Sequence, residues 1–110
     1  MTPFRTNKKD RATFARVLGL VDGLRIVLSE KGCEWILITR KNNMWEFGSR
    51  GFQWTITKLH QLGYRTSSTS KQFAISHLTD PHHGGFIGYS TNIGEALFRA
   101  VVALGEANNG

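Results

Sequence analysis

Apolar residues at Phe14, Val17, Leu18, Val21, Leu24 and Leu28 recur three and four apart, the spacing that lines one face of an α-helix. Asn7 precedes this run with Asp10 three residues on, a side-chain cap followed by an acid that complements the helix dipole. The pattern predicts one helix from about residue 10 to 30, stopped at Gly32. Gly19 and Gly23 interrupt it, each costing on the order of 1 kcal/mol relative to alanine. The alternative ends the helix near Asp22 and makes Leu24–Leu28 a strand.

The pattern then changes. Residues 34–39 and 44–47 are apolar-rich runs flanking Arg40-Lys41-Asn42-Asn43, which predicts a hairpin turning on those four polar residues. Gly48-Ser49-Arg50-Gly51 reads as a break. From Phe52 to Leu62 the apolar positions fit a helical face, and Gly63 supplies a C-cap with Tyr64 folding back. Phe52, Trp54 and Ile56 also alternate, so a strand is the other reading. The polar stretch Arg65–Lys71 reads as a loop.

The last third is the most patterned. Phe73–Leu78 and Phe86–Tyr89 read as strands divided by a Pro/Gly turn. Asn92 with Glu95 three residues later resembles a capping box. Ile93, Ala96, Leu97, Ala100, Val101 and Leu104 then form a stripe that Gly105 should end, leaving a frayed terminus.

This succession of strands and helices predicts an α+β fold: a two-layer sandwich of about four mostly antiparallel strands with two or three helices on one face. At 110 residues, 40% hydrophobic and 20% charged, the chain fits one folded domain with a basic arm over residues 1–9. No apolar run approaches the roughly 20 residues of a bilayer span. The first residues lack a secretory pattern, so the expected location is the cytoplasm. Cys33 is the only cysteine, which rules out an intramolecular disulfide.

The net charge of +6 is uneven. Arg5, Lys8, Lys9 and Arg11 outweigh Asp10 in the arm. Arg40, Lys41, Arg50, Lys58, Arg65 and Lys71 outweigh Glu46 in the middle. Residues 72–110 are net acidic, with Arg99 against Asp80, Glu95 and Glu106. An anionic partner should therefore meet the arm or the middle first.

Candidate chemistry is limited. His77, Asp80, His82 and His83 could ligate a divalent ion or support hydrolysis, but His-x-x-x-x-His-His matches no defined metal motif and reads equally as a solvated turn. Ser67, Ser68 and Ser70 lack a nucleophile elbow. Gly84-Gly85-Phe86-Ile87-Gly88 lacks the lysine of a phosphate loop. No cofactor is implied. Basic residues interleaved with aromatics between 40 and 65 suit either phosphate contacts and base stacking or the Trp and Arg anchors of a protein interface.

The stretch Phe73–Leu104, containing Gly-Gly-Phe-Ile-Gly-Tyr-Ser-Thr-Asn-Ile-Gly-Glu-Ala-Leu-Phe-Arg-Ala, resembles the strand-to-helix ending of small phage proteins of the ABA-sandwich type. That resemblance implies a phage or prophage accessory protein acting in the bacterial cytoplasm, where such proteins bind and inhibit host machines, including CRISPR and other defence complexes. The same ending is similar to the close of double-stranded-RNA-binding domains, but Asn92-Ile93-Gly94-Glu95 has no lysine at the phosphate-binding turn, and Glu95 would repel phosphate.

The expectation is thus a non-enzymatic protein that binds a bacterial protein or nucleoprotein complex, with Arg40, Lys41, Trp45, Arg50, Trp54, Lys58 and Arg65 as contact residues. It could occupy a site that normally holds nucleic acid. The alternative is direct DNA or RNA binding, with Arg5, Lys8, Lys9 and Arg11 contributing. A metal-dependent hydrolase or nuclease comes third.

Overall fold

The computed structural model describes residues 4–19, 38–41, 44–47, 49–79 and 85–109, with the backbone alone described for 38–50 and 109. Its elements run β1 (Phe4–Arg5), α1 (Lys8–Leu18), β2 (Ile38–Lys41), β3 (Met44–Phe47), α2 (Ser49–Gln61), β4 (Tyr64–Ser68), β5 (Gln72–His77), β6 (Phe86–Tyr89) and α3 (Ile93–Asn109). The fold is α+β, with helices packed on antiparallel sheet. Two three-stranded sheets are present among the described residues, ordered β1-β3-β2 and β4-β5-β6.

Asn7 caps α1 as its sequence suggests: its Oδ1 accepts from the Asp10 amide at 2.8 Å, and its Nδ2 donates to Asp10 Oδ2 at 3.0 Å. The long helix to residue 30 is not formed. Gly19 adopts φ +68° and donates its amide to Arg16 O at 3.2 Å, closing α1 at Leu18. A left-handed residue at this point ends the helical ladder, and glycine reaches that conformation without a Cβ clash. The proposed continuation over residues 20–30 lies outside the described residues.

Three further boundaries move. The hairpin forms, but Arg40 and Lys41 belong to β2 instead of the turn, with Lys41 opposite Met44. Ser49–Gly51 form the first turn of α2 and not a break, and Phe52–Gln61 is helical throughout. Gly63, at φ +93°, follows α2 and donates to His60 O at 3.1 Å, which is the glycine stop that the sequence predicts.

Two strands were not foreseen. Phe4–Arg5, expected in a free arm, pairs with β3 because Phe4 is buried against the ring of Phe98, centroid to centroid 5.6 Å. Tyr64–Ser68, expected largely as loop, pairs with β5 from Tyr64↔His77 to Ser68↔Phe73. β-Branched and hydroxyl residues suit a sheet edge that is half wet.

The core is built around α3. Leu97, Val101 and Leu104 are fully buried, and Phe98 lies between Phe4 and Phe14, stacked on Phe14 at 5.0 Å. The helix runs through Gly105 to Asn109 without stopping or fraying where expected. Gly105 is the crossing point of α1: a Cβ there would lie 2.5 Å from Thr13 Cγ2 and 2.7 Å from Val17 Cγ2. The residue that looks like a terminator therefore permits close helix packing.

Candidate binding surface

Strand register decides which side chains of the β4-β5-β6 sheet meet the helices, because successive residues of a strand face opposite ways. Phe73 and Ile75 on β5 are buried, and their partners Gly88 and Phe86 on β6 share that side. Phe52 of α2 meets Phe73 edge-on at 6.0 Å, while Gly88 lies against the α3 backbone. Both helices thus occupy one side of the sheet.

The other side carries the alternate residues. Arg65 stands opposite Ser76, Ser67 opposite Ala74, Ala74 opposite Ile87, and Gln72 opposite Tyr89. Tyr89 is 62% exposed and Ile87 37%. Arg65 is also exposed. The middle of this face carries the small residues Ala74, Ser76 and Ser67, and it holds no carboxylate among the described residues. Lys71, exposed in the β4-β5 turn, is one residue out of step with Gln72 and Tyr89 and so is not aligned with this face; its carbonyl accepts from the Ser90 amide at 2.9 Å.

The N-terminus of α3 braces the margin of this face. Asn92 Oδ1 accepts from the amides of Gly94 and Glu95 at 3.0 and 3.4 Å. The capping box is relayed: Ser90 Oγ accepts from the Asn92 amide at 3.0 Å and donates to Glu95 Oε2 at 2.9 Å. The other oxygen of Glu95 binds Arg99 Nη2 at 2.6 Å, and Arg99 Nη1 donates to Tyr89 O at 3.4 Å. The Arg99 charge is matched locally, whereas Arg65 and Lys71 form no ion pair among the described residues.

The residues singled out from the sequence fall on separate elements. Arg40 and Lys41 lie on β2, Trp45 on β3 between Phe4 and Arg40 in register, and Arg50 in the first turn of α2. Trp54 is half-buried and packs against the core, its indole N–H enclosed without a hydrogen-bond partner. Lys58 is half-buried on α2. Of the seven, Arg65 alone occupies the bare sheet face. In the basic arm Arg5, Lys8 and Lys9 are exposed, while Arg11 is half-buried and donates to Thr6 O and Oγ1 at 3.2 and 3.1 Å.

Of the proposed histidine cluster, Asp80, His82 and His83 lie outside the described residues, as does Cys33. His77 is half-buried on the helix-facing side, its ring 5.0 Å from that of Tyr64. No three metal-ligating side chains converge among the described residues. A cleft of about 380 Å³ between β1, α1 and α3 contains Arg5, Asp10, Glu95 and Arg99 over Phe98. The Glu95 and Arg99 side chains there are engaged with each other, and Asp10 with Asn7.

Tyr89 and Ile87 were not recognised as surface residues in the sequence. The signal was Gly88 between them: a glycine against a helix turns both of its neighbours outward. The chain is a small α+β protein in which, among the described residues, no helix covers this face of the β4-β5-β6 sheet. No protein family, curated protein or solved structure matches the chain. No helix among the described residues is long and apolar enough to cross a membrane.

Proposed function

We propose that this is a non-enzymatic binding protein that docks a partner through the bare face of the β4-β5-β6 sheet. One observation carries the reading: that face presents Tyr89, Ile87 and Arg65 to solvent and, among the described residues, holds no carboxylate. An exposed tyrosine and an unpaired arginine are the residue types that anchor interfaces, and the chain's charge of +6 favours an anionic partner. The resemblance of Phe73–Leu104 to phage ABA-sandwich proteins supports a phage or prophage accessory factor that engages a bacterial protein or nucleoprotein complex, such as a defence system.

The test is capture from a bacterial lysate by immobilised protein, reading both protein and nucleic acid retained. The double variant Arg65→Glu/Tyr89→Ala should lose the retained species, while Lys8→Glu/Lys9→Glu, altered on a different element, should keep them. Equal capture by wild type and the Arg65/Tyr89 variant would remove this face as the docking surface.

A further inference from the structure

Tyr89 and Arg65 sit at opposite corners of the sheet. They are separated by two strand spacings of about 4.8 Å and four residues of about 3.4 Å each, roughly 16 Å in all. On the diagonal between them lies Ala74, flanked by Ser67 and Ser76, with Ile87 and Gln72 along the Tyr89 side of the face. The Tyr89 ring is 62% exposed, with Ile87 beside it on the same strand. Arg65 at the opposite corner is exposed and forms no ion pair among the described residues.

We infer that the ligand of this face is single-stranded nucleic acid, with a base stacked on Tyr89 and a phosphate held by Arg65. The inference rests on the docking reading above and names the partner's chemistry. A sheet face with an exposed aromatic at one corner and a cation at the opposite one accepts planar bases along its surface and a phosphate at its margin. Charge complementarity favours a polyanionic strand, because the described residues of the face include Arg65 and no acid and the chain carries a net charge of +6. Exposure of the base selects single strands over duplex, since paired bases are stacked on each other and cannot reach Tyr89.

The experiment is fluorescence anisotropy with labelled oligothymidylate and oligouridylate of about 16 nucleotides, and a duplex of equal length, over about 50 to 200 mM salt. Wild type should bind the single strands more tightly than the duplex. Tyr89→Ala should weaken single-strand binding roughly tenfold with the salt slope unchanged, and Tyr89→Phe should retain it. Arg65→Gln should lower the magnitude of the salt slope by about 0.7, the loss of one phosphate contact on a single strand. Both side chains are exposed, so thermal unfolding should stay at the wild-type midpoint.

Absence of single-strand binding at about 50 mM salt would overturn the inference, as would equal affinity for single strand and duplex with Tyr89→Ala indistinguishable from wild type. If oligonucleotides fail to bind while Arg65→Glu/Tyr89→Ala still abolishes capture from lysate, the ligand class is wrong and the docking face stands. If capture also survives that variant, both readings fall.

Discussion

Replacing Gly88 with alanine should be among the most damaging single-methyl additions in this protein. A Cβ at position 88 would lie 2.0 Å from Ala96 O, 2.6 Å from Ala100 N and 2.9 Å from Arg99 Cβ. Carbon contacts are comfortable near 3.5–4.0 Å, so β6 and α3 must separate by more than 1 Å. Two of the three obstructing atoms are helix backbone, which cannot rotate away as a side-chain tip can. Overpacking of this kind costs about 1–3 kcal/mol, and a backbone obstacle points to the upper end. The reduced freedom of an unfolded alanine chain returns about 0.5–1 kcal/mol, leaving roughly 2 kcal/mol of net destabilisation.

For a chain of this size that loss corresponds to a fall in Tm of roughly 8–16 °C, or about 1 M in the urea midpoint at a typical slope. Far-UV circular dichroism during urea unfolding measures it. Gly63→Ala provides the control: φ is +93° but the added methyl meets nothing within 4 Å, so it should cost about 1 kcal/mol through backbone strain alone. A Gly88→Ala midpoint equal to wild type, or a smaller loss than Gly63→Ala, would refute the packing argument.

Gly105→Ala crowds side-chain methyls of Thr13 and Val17, while the backbone atom it meets, Thr13 O, is at an ordinary 3.6 Å, so it should destabilise by about 1 kcal/mol after the helix-propensity gain is set against overpacking. Placed in a Thr13→Ser/Val17→Ala background, which removes both methyls, the same change should become stabilising by up to about 1 kcal/mol, and a double-mutant cycle in urea reads the reversal of sign. Asn7→Ala should cost about 1 kcal/mol by removing the acceptor for the Asp10 amide, and Asn7→Asp should restore most of it; equal midpoints for the alanine and aspartate variants would dismiss the cap.

The elements that the sequence made legible are those whose signals are local. The Asn7 cap, the Gly63 stop, the Phe73–Leu78 and Phe86–Tyr89 strands and the start of α3 at Asn92 each depend on a few adjacent residues. Failures occurred where tertiary contact overrides local preference. Gly105 reads as a terminator, yet it lies inside α3 where α1 approaches, and an added Cβ would lie 2.5 Å from Thr13 Cγ2. Tyr64–Ser68 is too polar to announce a strand, and its partner β5 creates one. Gly19 interrupts an apolar stripe that continues in phase along the sequence, and its left-handed backbone ends the helix. For the binding surface, charge density pointed to residues 40–65, but charge along a chain does not reveal which sheet face is bare. Arg65 was found that way and Tyr89 was not.

The bare face follows from the same glycine that fixes the core. Because Gly88 has no side chain, β6 can press its backbone against α3, and the residues on either side of it must then point away from the helix. A one-residue slip of β6 would place Ile87 or Tyr89 against Ala96 and Ala100, where not even a methyl fits, and would expose Phe86 to solvent. Burial cannot reclaim Tyr89 by local rearrangement. The exposed aromatic is therefore locked in place by packing on the opposite side of the sheet, and a surface held that rigidly loses little conformational entropy when a partner settles on it. That coupling links stability to recognition in a specific direction: loosening the Gly88 contact should disturb both, whereas trimming Tyr89 should disturb recognition alone.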